Sequence, residues 1–190
     1  MRFPCAACWR MSLEDSELAL LFEALGNQHD RALESLMDRL HHDLRRAAHG
    51  TRLKVSADST LSTTALISEL YLKLQRASKL RIADRKHFLV VAAQAMRQIL
   101  IDQARSRLRQ KALESAQHSH ALASADDEWV LQIADALDRL RALQPRLAQV
   151  CELRFFAGLT ETEIATVLDS STRTVRRDWE KARAWLLQVL

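Results

Sequence analysis

Apolar residues recur at helical spacing along nearly the whole chain. Leu18, Leu21, Phe22 and Leu25 form one stripe, followed by Gly26 and Asn27, residue types that end helices. Asp30 then stands where an N-cap is expected, ahead of a second stripe of Leu33, Leu36, Met37, Leu40 and Leu44. The segment from His49 to Ser59 is polar, contains Gly50 and reads as a loop. Ser62, Thr63 or Thr64 can cap a third helix carrying Leu66, Leu70 and Leu74, with Ile67 and Tyr71 beside them. Asp84 opens the longest pattern, Phe88, Val91, Ala92, Ala95 and Ile99. It is apolar on several faces as far as Ile101, the mark of a helix central to a bundle. Further on, Val130, Ile133, Leu137 and Leu140 predict another helix. Pro145 suits the first turn of the next, which carries Leu147, Val150, Cys151 and Phe155 inward.

Composition sharpens this to an all-α chain. Only 3 Gly and 2 Pro occur in 190 residues, too few for the turns of a sandwich, barrel or doubly wound sheet. Gly26, Gly50 and Gly158 lie too far apart for a glycine-rich phosphate loop. The longest run without Asp, Glu, Lys or Arg is Ser115 to Ala125, short of a membrane span, so a soluble cytoplasmic protein is expected. The 3 cysteines exclude a disulfide framework. Cys5 and Cys8 form a lone CxxC, read as part of a disordered extension (1–13) rather than half a zinc site, and Cys151 reads as core. No metal or cofactor site is indicated.

Charge divides the chain. The net charge is +4, unevenly spread. Arg85 to Lys111 holds seven basic residues and one acid, whereas Ala112 to Glu128 holds four acids and no Lys or Arg. Residues 112–127 are therefore expected to be a flexible linker between two helical domains, 14–111 and 128–190. In the first domain, Arg97, Arg105 and Arg107 belong to or follow the apolar helix that begins near His87. A basic helix of this kind can hold single-stranded DNA, or it is simply a solvated face.

The second domain carries a sharper signal. Thr160-Glu161-Thr162-Glu163 is a capping box, opening a short helix with Ile164, Ala165 and Leu168 inside. A turn at Asp169-Ser170 follows, and Ser170 or Ser171 can cap a second helix with an inner stripe of Val175, Trp179, Ala182 and Leu186. Asp169 sits where a left-handed residue is expected, a conformation Asp tolerates at some cost. Arg173, Thr174, Arg176, Arg177 and Lys181 lie on the other side of that helix. Two short helices, a tight turn and a cationic second helix describe a helix-turn-helix. Its Arg side chains can read guanine in the major groove, and its Lys suits phosphates.

Three segments together resemble one family. Ser59 to Leu74 (STLSTTALISELYLKL) is similar to the HTLQPTALVNEAYLRL pattern of one group of bacterial RNA polymerase sigma factors, the extracytoplasmic-function type of the sigma-70 family. Asp84 to Arg107 resembles the segment that follows in that group, and Glu152 to Leu186 its C-terminal helix-turn-helix. The acidic run that many members carry ahead of the polymerase-binding helix is replaced here by Ser62-Thr63-Thr64, as in the narrower group.

The resemblance implies two helical domains, regions 2 and 4, and no covalent chemistry. Region 2 would bind the polymerase clamp through Glu69, Leu70 and Lys73 and the −10 promoter element through His87, Arg97, Arg105 and Arg107. Region 4 would bind the polymerase flap and read the −35 element with Arg173, Thr174, Arg176, Arg177 and Lys181. The implied partners are core RNA polymerase and promoter DNA. An anti-sigma factor is a further partner the resemblance allows, although no segment marks a site for it. The residues alone also leave open a stand-alone helix-turn-helix regulator that binds duplex DNA without polymerase.

Overall fold

A computed structural model describes residues 17–25, 29–45, 48, 62–77, 82–117 and 125–190. The described residues form helices and no strand. In chain order they are α1 (17–24), α2 (His29–Arg39), α3 (41–45), α4 (Thr63–Arg76), α5 (Arg85–Gln117), α6 (Ala125–Leu143), α7 (Pro145–Phe155), α8 (Glu161–Val167) and α9 (Thr172–Val189). The all-α expectation holds. Gly26, Asn27, the whole of the predicted 49–59 loop, and Cys5 and Cys8 in the 1–13 extension lie outside the described residues.

Local signals set several helix ends. Of the three cap choices, Ser62 takes the position and accepts from the Ala65 amide at 3.0 Å. Pro145 opens α7, where its missing N–H leaves no bond unmade. Asp30 is not the cap of α2. The helix already includes His29, so Asp30 lies in its first turn, where a carboxylate still favours the helix dipole.

The stripes of α1, α2 and α4 meet Phe88, Ala92, Met96 and Ile99 of α5 in one core. Leu33, Leu36, Leu66, Leu70, Phe88 and Met96 are among its fully buried side chains. The opposite side of α5 is also covered. Ala93 packs with Val150, Leu153, Ile164 and Val175. Leu100 and Ala104 pack with α6, α7 and α9 through Val130, Leu137, Cys151 and Leu186. Phe88 and Ala93 are five positions apart, about 140° around a helix. Two such faces make α5 apolar on several sides as far as Ile101, which explains the pattern that placed it centrally.

The stretch expected as a linker, 112–127, is helical at both ends. α5 continues to Gln117, and α6 begins at Ala125. Asp127, whose charge suggested a solvated linker, is only 3% exposed. Arg107 Nη2 stands 2.6 Å from its Oδ1, and Lys111 Nζ stands 3.7 Å from its Oδ2. Burial of this carboxylate is tolerable because two cations neutralise it.

Candidate nucleic-acid interface

The helix-turn-helix is built from α8 and α9 on the platform of α7. Thr160 caps α8. Its hydroxyl accepts from the Glu163 amide at 3.3 Å, and the Glu163 carboxylate accepts from the Thr160 amide at 2.8 Å. At the other end the Ser170 amide donates to the Ala165 carbonyl at 2.8 Å. Asp169 there adopts φ 45°, the left-handed residue that closes such a helix end. Ser171 then caps α9, accepting from the Thr174 amide at 3.1 Å. Ile164, Ala165 and Val175 are buried together where the two helices cross.

A second device fixes the angle of α9. Arg146, near the start of α7, donates through Nε to Asp178 at 2.7 Å and through Nη2 to Ser170 Oγ at 2.8 Å. One guanidinium thus ties α7 to the turn and to α9. Asp178 is 5% exposed, and the pairing offsets its desolvation. Sequence reasoning passed over both residues. Their signal was a carboxylate three positions after Val175, on the inner side of an otherwise cationic helix.

The outer side of α9 is as expected. Arg173, Arg176, Arg177 and Lys181 are exposed, and Thr174 is half-buried beside its cap. Arg176 Nε donates to Glu161 Oε2 at 3.0 Å. Trp179, from the inner stripe, is half-buried against Phe155 with ring centroids 5.6 Å apart, and the Arg154 guanidinium lies 4.9 Å from its centroid.

The basic residues of α5 divide. His87 is exposed, with Nδ1 accepting from the Ala83 amide at 3.2 Å, and Arg105 is exposed. Arg107 is held by Asp127. Arg97, expected as a nucleic-acid contact, is buried at 6% exposure and faces protein. Its Nη2 donates to the Ala134 carbonyl at 2.8 Å and lies 2.9 Å from Asp138 Oδ1. Its Nε faces Glu152 Oε1 at 3.7 Å, beyond hydrogen-bond reach, and is left unsatisfied. Arg97 lies four residues after Ala93 and three before Leu100, on the stripe that α6 and α7 cover, and this register directs it inward. Glu152 also pairs with Arg141. Burial pushes the Glu152 carboxyl above the usual range, against the opposing pull of Arg141 and Arg97. Lys86, at the start of α5, pairs with Asp169 of the helix-turn-helix turn.

On α4, Glu69 is exposed and Lys73 half-buried, with Lys73 Nζ 3.6 Å from Asp102 on α5. They border a cavity of about 300 Å³ with Arg76, Ile99, Gln103 and Ser106. Leu70, expected beside them as a polymerase contact, is fully buried in the core. It lies on the Leu66–Leu74 stripe, so it anchors α4 and leaves contact with a partner to its neighbours. Cys151 is buried, and desolvation raises its thiol to about 12, as the core reading required. Among the described residues no group of three His, Cys, Asp or Glu is placed to hold a metal ion. No helix among them is long and apolar enough to cross a membrane.

An all-helical chain with a capped helix-turn-helix and a cationic second helix is, by class, a DNA-binding protein of transcription. The sequence model of the family described as ECF sigma factor matches residues 15–190. The chain therefore belongs to the ECF sigma factor family and has a role in transcription initiation. No curated protein and no solved structure matches it.

Proposed function

We propose that this chain binds core RNA polymerase and directs it to promoters by reading two DNA elements. Residues 14–111 act as region 2, residues 112–127 join the two parts, and residues 128–190 act as region 4. The observation that carries this reading is the exposed cationic face of α9, with Arg173, Arg176, Arg177 and Lys181 standing clear of the helix-turn-helix core.

The physical division of labour follows. The start of α9 enters the major groove of a −35-type duplex, where Arg forks contact guanine edges and Lys181 a phosphate. Region 2 meets the −10-type element through His87 and Arg105, the two exposed members of the expected set. Glu69 and Lys73 face the polymerase clamp, carried on the helix that Leu70 anchors. A single helix-turn-helix buries little surface and binds DNA weakly. Tethering it through polymerase to a second reader raises its effective concentration at the promoter. The chain performs no covalent step in this reading and acts in the cytoplasm with polymerase.

The test is co-elution of the purified chain with bacterial core RNA polymerase on size exclusion, followed by run-off transcription from a promoter library. One-to-one co-elution with template-selective transcripts is the expected result. A folded chain that stays apart from polymerase yet binds a specific duplex tightly by itself would establish the stand-alone regulator instead.

A further inference from the structure

Among the cations of α9, Arg176 is the one whose guanidinium is held by a carboxylate. Its Nε donates to Glu161 Oε2 at 3.0 Å, and its side chain stays 64% exposed. Among the described residues no ion pair holds Arg173, Arg177 or Lys181.

Glu161 is itself held in place. The capping box sets the start of α8, and Glu161 is the first residue of that helix. Its side chain is 22% exposed, and its other oxygen, Oε1, lies 3.7 Å from Arg154 Nη1. Arg154 in turn lies over the Trp179 ring, which packs at a tilt of 53° against Phe155. The carboxylate therefore stands between an inner, anchored Arg and an outer, solvent-facing one. Three helices contribute to a chain that ends at the tip of Arg176.

This arrangement suits reading a base better than gripping a phosphate. A phosphate contact needs only positive charge, and a carboxylate beside it weakens the attraction. A base contact needs direction. With Nε occupied by Glu161, the two terminal nitrogens of Arg176 remain free as parallel donors. Guanine is the base with two acceptors, O6 and N7, on its major-groove edge. Adenine and cytosine each place a donor there, and thymine offers one acceptor beside its methyl group.

We propose that Glu161 is a positioning residue that aims Arg176 at a guanine in the −35-type element and so sets part of the promoter preference. The inference rests on the reading that α9 enters the promoter's major groove. Its test uses the full chain assembled with core RNA polymerase and a promoter library randomised across the −35-type region, with transcribed templates sequenced. Wild type is expected to favour guanine at one position by about 5- to 150-fold, the usual worth of a bidentate Arg contact. Arg176→Ala should abolish that preference. Glu161→Ala should remove about half of it at the same position on a free-energy scale, a loss of about 2- to 12-fold, and leave the other positions unchanged. Glu161→Gln, whose amide oxygen still accepts from Nε, should keep most of it. Binding of Glu161→Ala to random duplex should rise, because a negative charge near the phosphates is gone. An unfolded variant cannot give that pair of opposite changes. Full retention of the guanine preference in Glu161→Ala, or an equal loss at every position, would overturn the proposal. If Arg176→Ala leaves all preferences intact, or the chain does not assemble with polymerase, the underlying reading of α9 falls with it.

Discussion

Replacing Arg97 by Met separates a buried structural cation from a DNA contact. The thioether chain roughly fills the space but brings no charge and no donor. Glu152, 2% exposed, would keep Arg141 and lose its second cation. The Ala134 carbonyl would lose a charged donor at 2.8 Å. Asp138 is exposed enough for water to replace its partner. Removing one partner of a buried pair costs about 3–5 kcal/mol. Arg141 remains, so the low end, about 3 kcal/mol, applies. For a chain of this size that lowers the melting temperature by about 6–12 °C. With a slope near 2 kcal/mol/M, it moves the urea midpoint down by about 1.5 M. Converting Glu152 to Gln in the same chain should recover part of the loss, because the orphaned charge goes too. Urea titration followed by circular dichroism measures both. A surface Arg that only touches DNA would shift stability by no more than about 0.5 kcal/mol. An unchanged urea midpoint with transcription abolished would therefore refute the structural role and return Arg97 to the promoter.

Three further outcomes are expected. In a Cys5→Ser, Cys8→Ser background the remaining thiol, Cys151, is held near 12 by burial and is protonated at neutral pH. It should react with Ellman's reagent only as fast as the protein unfolds, and rapid labelling of the native chain would contradict its burial. The raised Glu152 carboxyl means that the folded state binds a proton more readily than the unfolded one, whose Glu value is about 4.3. Its contribution to stability should therefore grow as pH falls from neutral toward that value and fade as pH rises, and comparing wild type with Glu152→Gln by thermal melting at pH 7.5 and 5.0 checks the sign. Asp169 holds φ 45°, so Asp169→Val should be less stable than Asp169→Gly by about 1–2 kcal/mol, read from denaturant midpoints. Equal midpoints would mean the turn relaxes out of the left-handed region.

Much of the candidate site was legible along the chain because its determinants are local. Thr160 and Glu163 sit three residues apart, and a capping box needs nothing more distant. The left-handed turn at Asp169 follows from where one helix must stop and the next begin. The cationic side of α9 follows from helical period, since Arg173, Arg176 and Arg177 fall opposite Val175, Ala182 and Leu186. Leu70 was misplaced although its own stripe, Leu66 to Leu74, already pointed it inward.

The rest depended on elements distant in sequence. Arg97 and Arg105 belong to the same helix and have the same chemistry, yet one is buried and the other exposed. The register with Ala93 and Leu100 puts Arg97 on one stripe of α5, but only the packing of α6 and α7 makes that stripe buried. Asp127 read as part of an acidic linker, and only the approach of Arg107 and Lys111 makes its burial affordable. Arg146 and Asp178 are 32 positions apart, so the pair that sets the angle of α9 exists only once the chain has closed. The sequence by itself determined helix, cap, turn and charge, because these depend on neighbours within about one turn. The tertiary structure decided which charges stay in water, because desolvation and pairing depend on whatever packs against them.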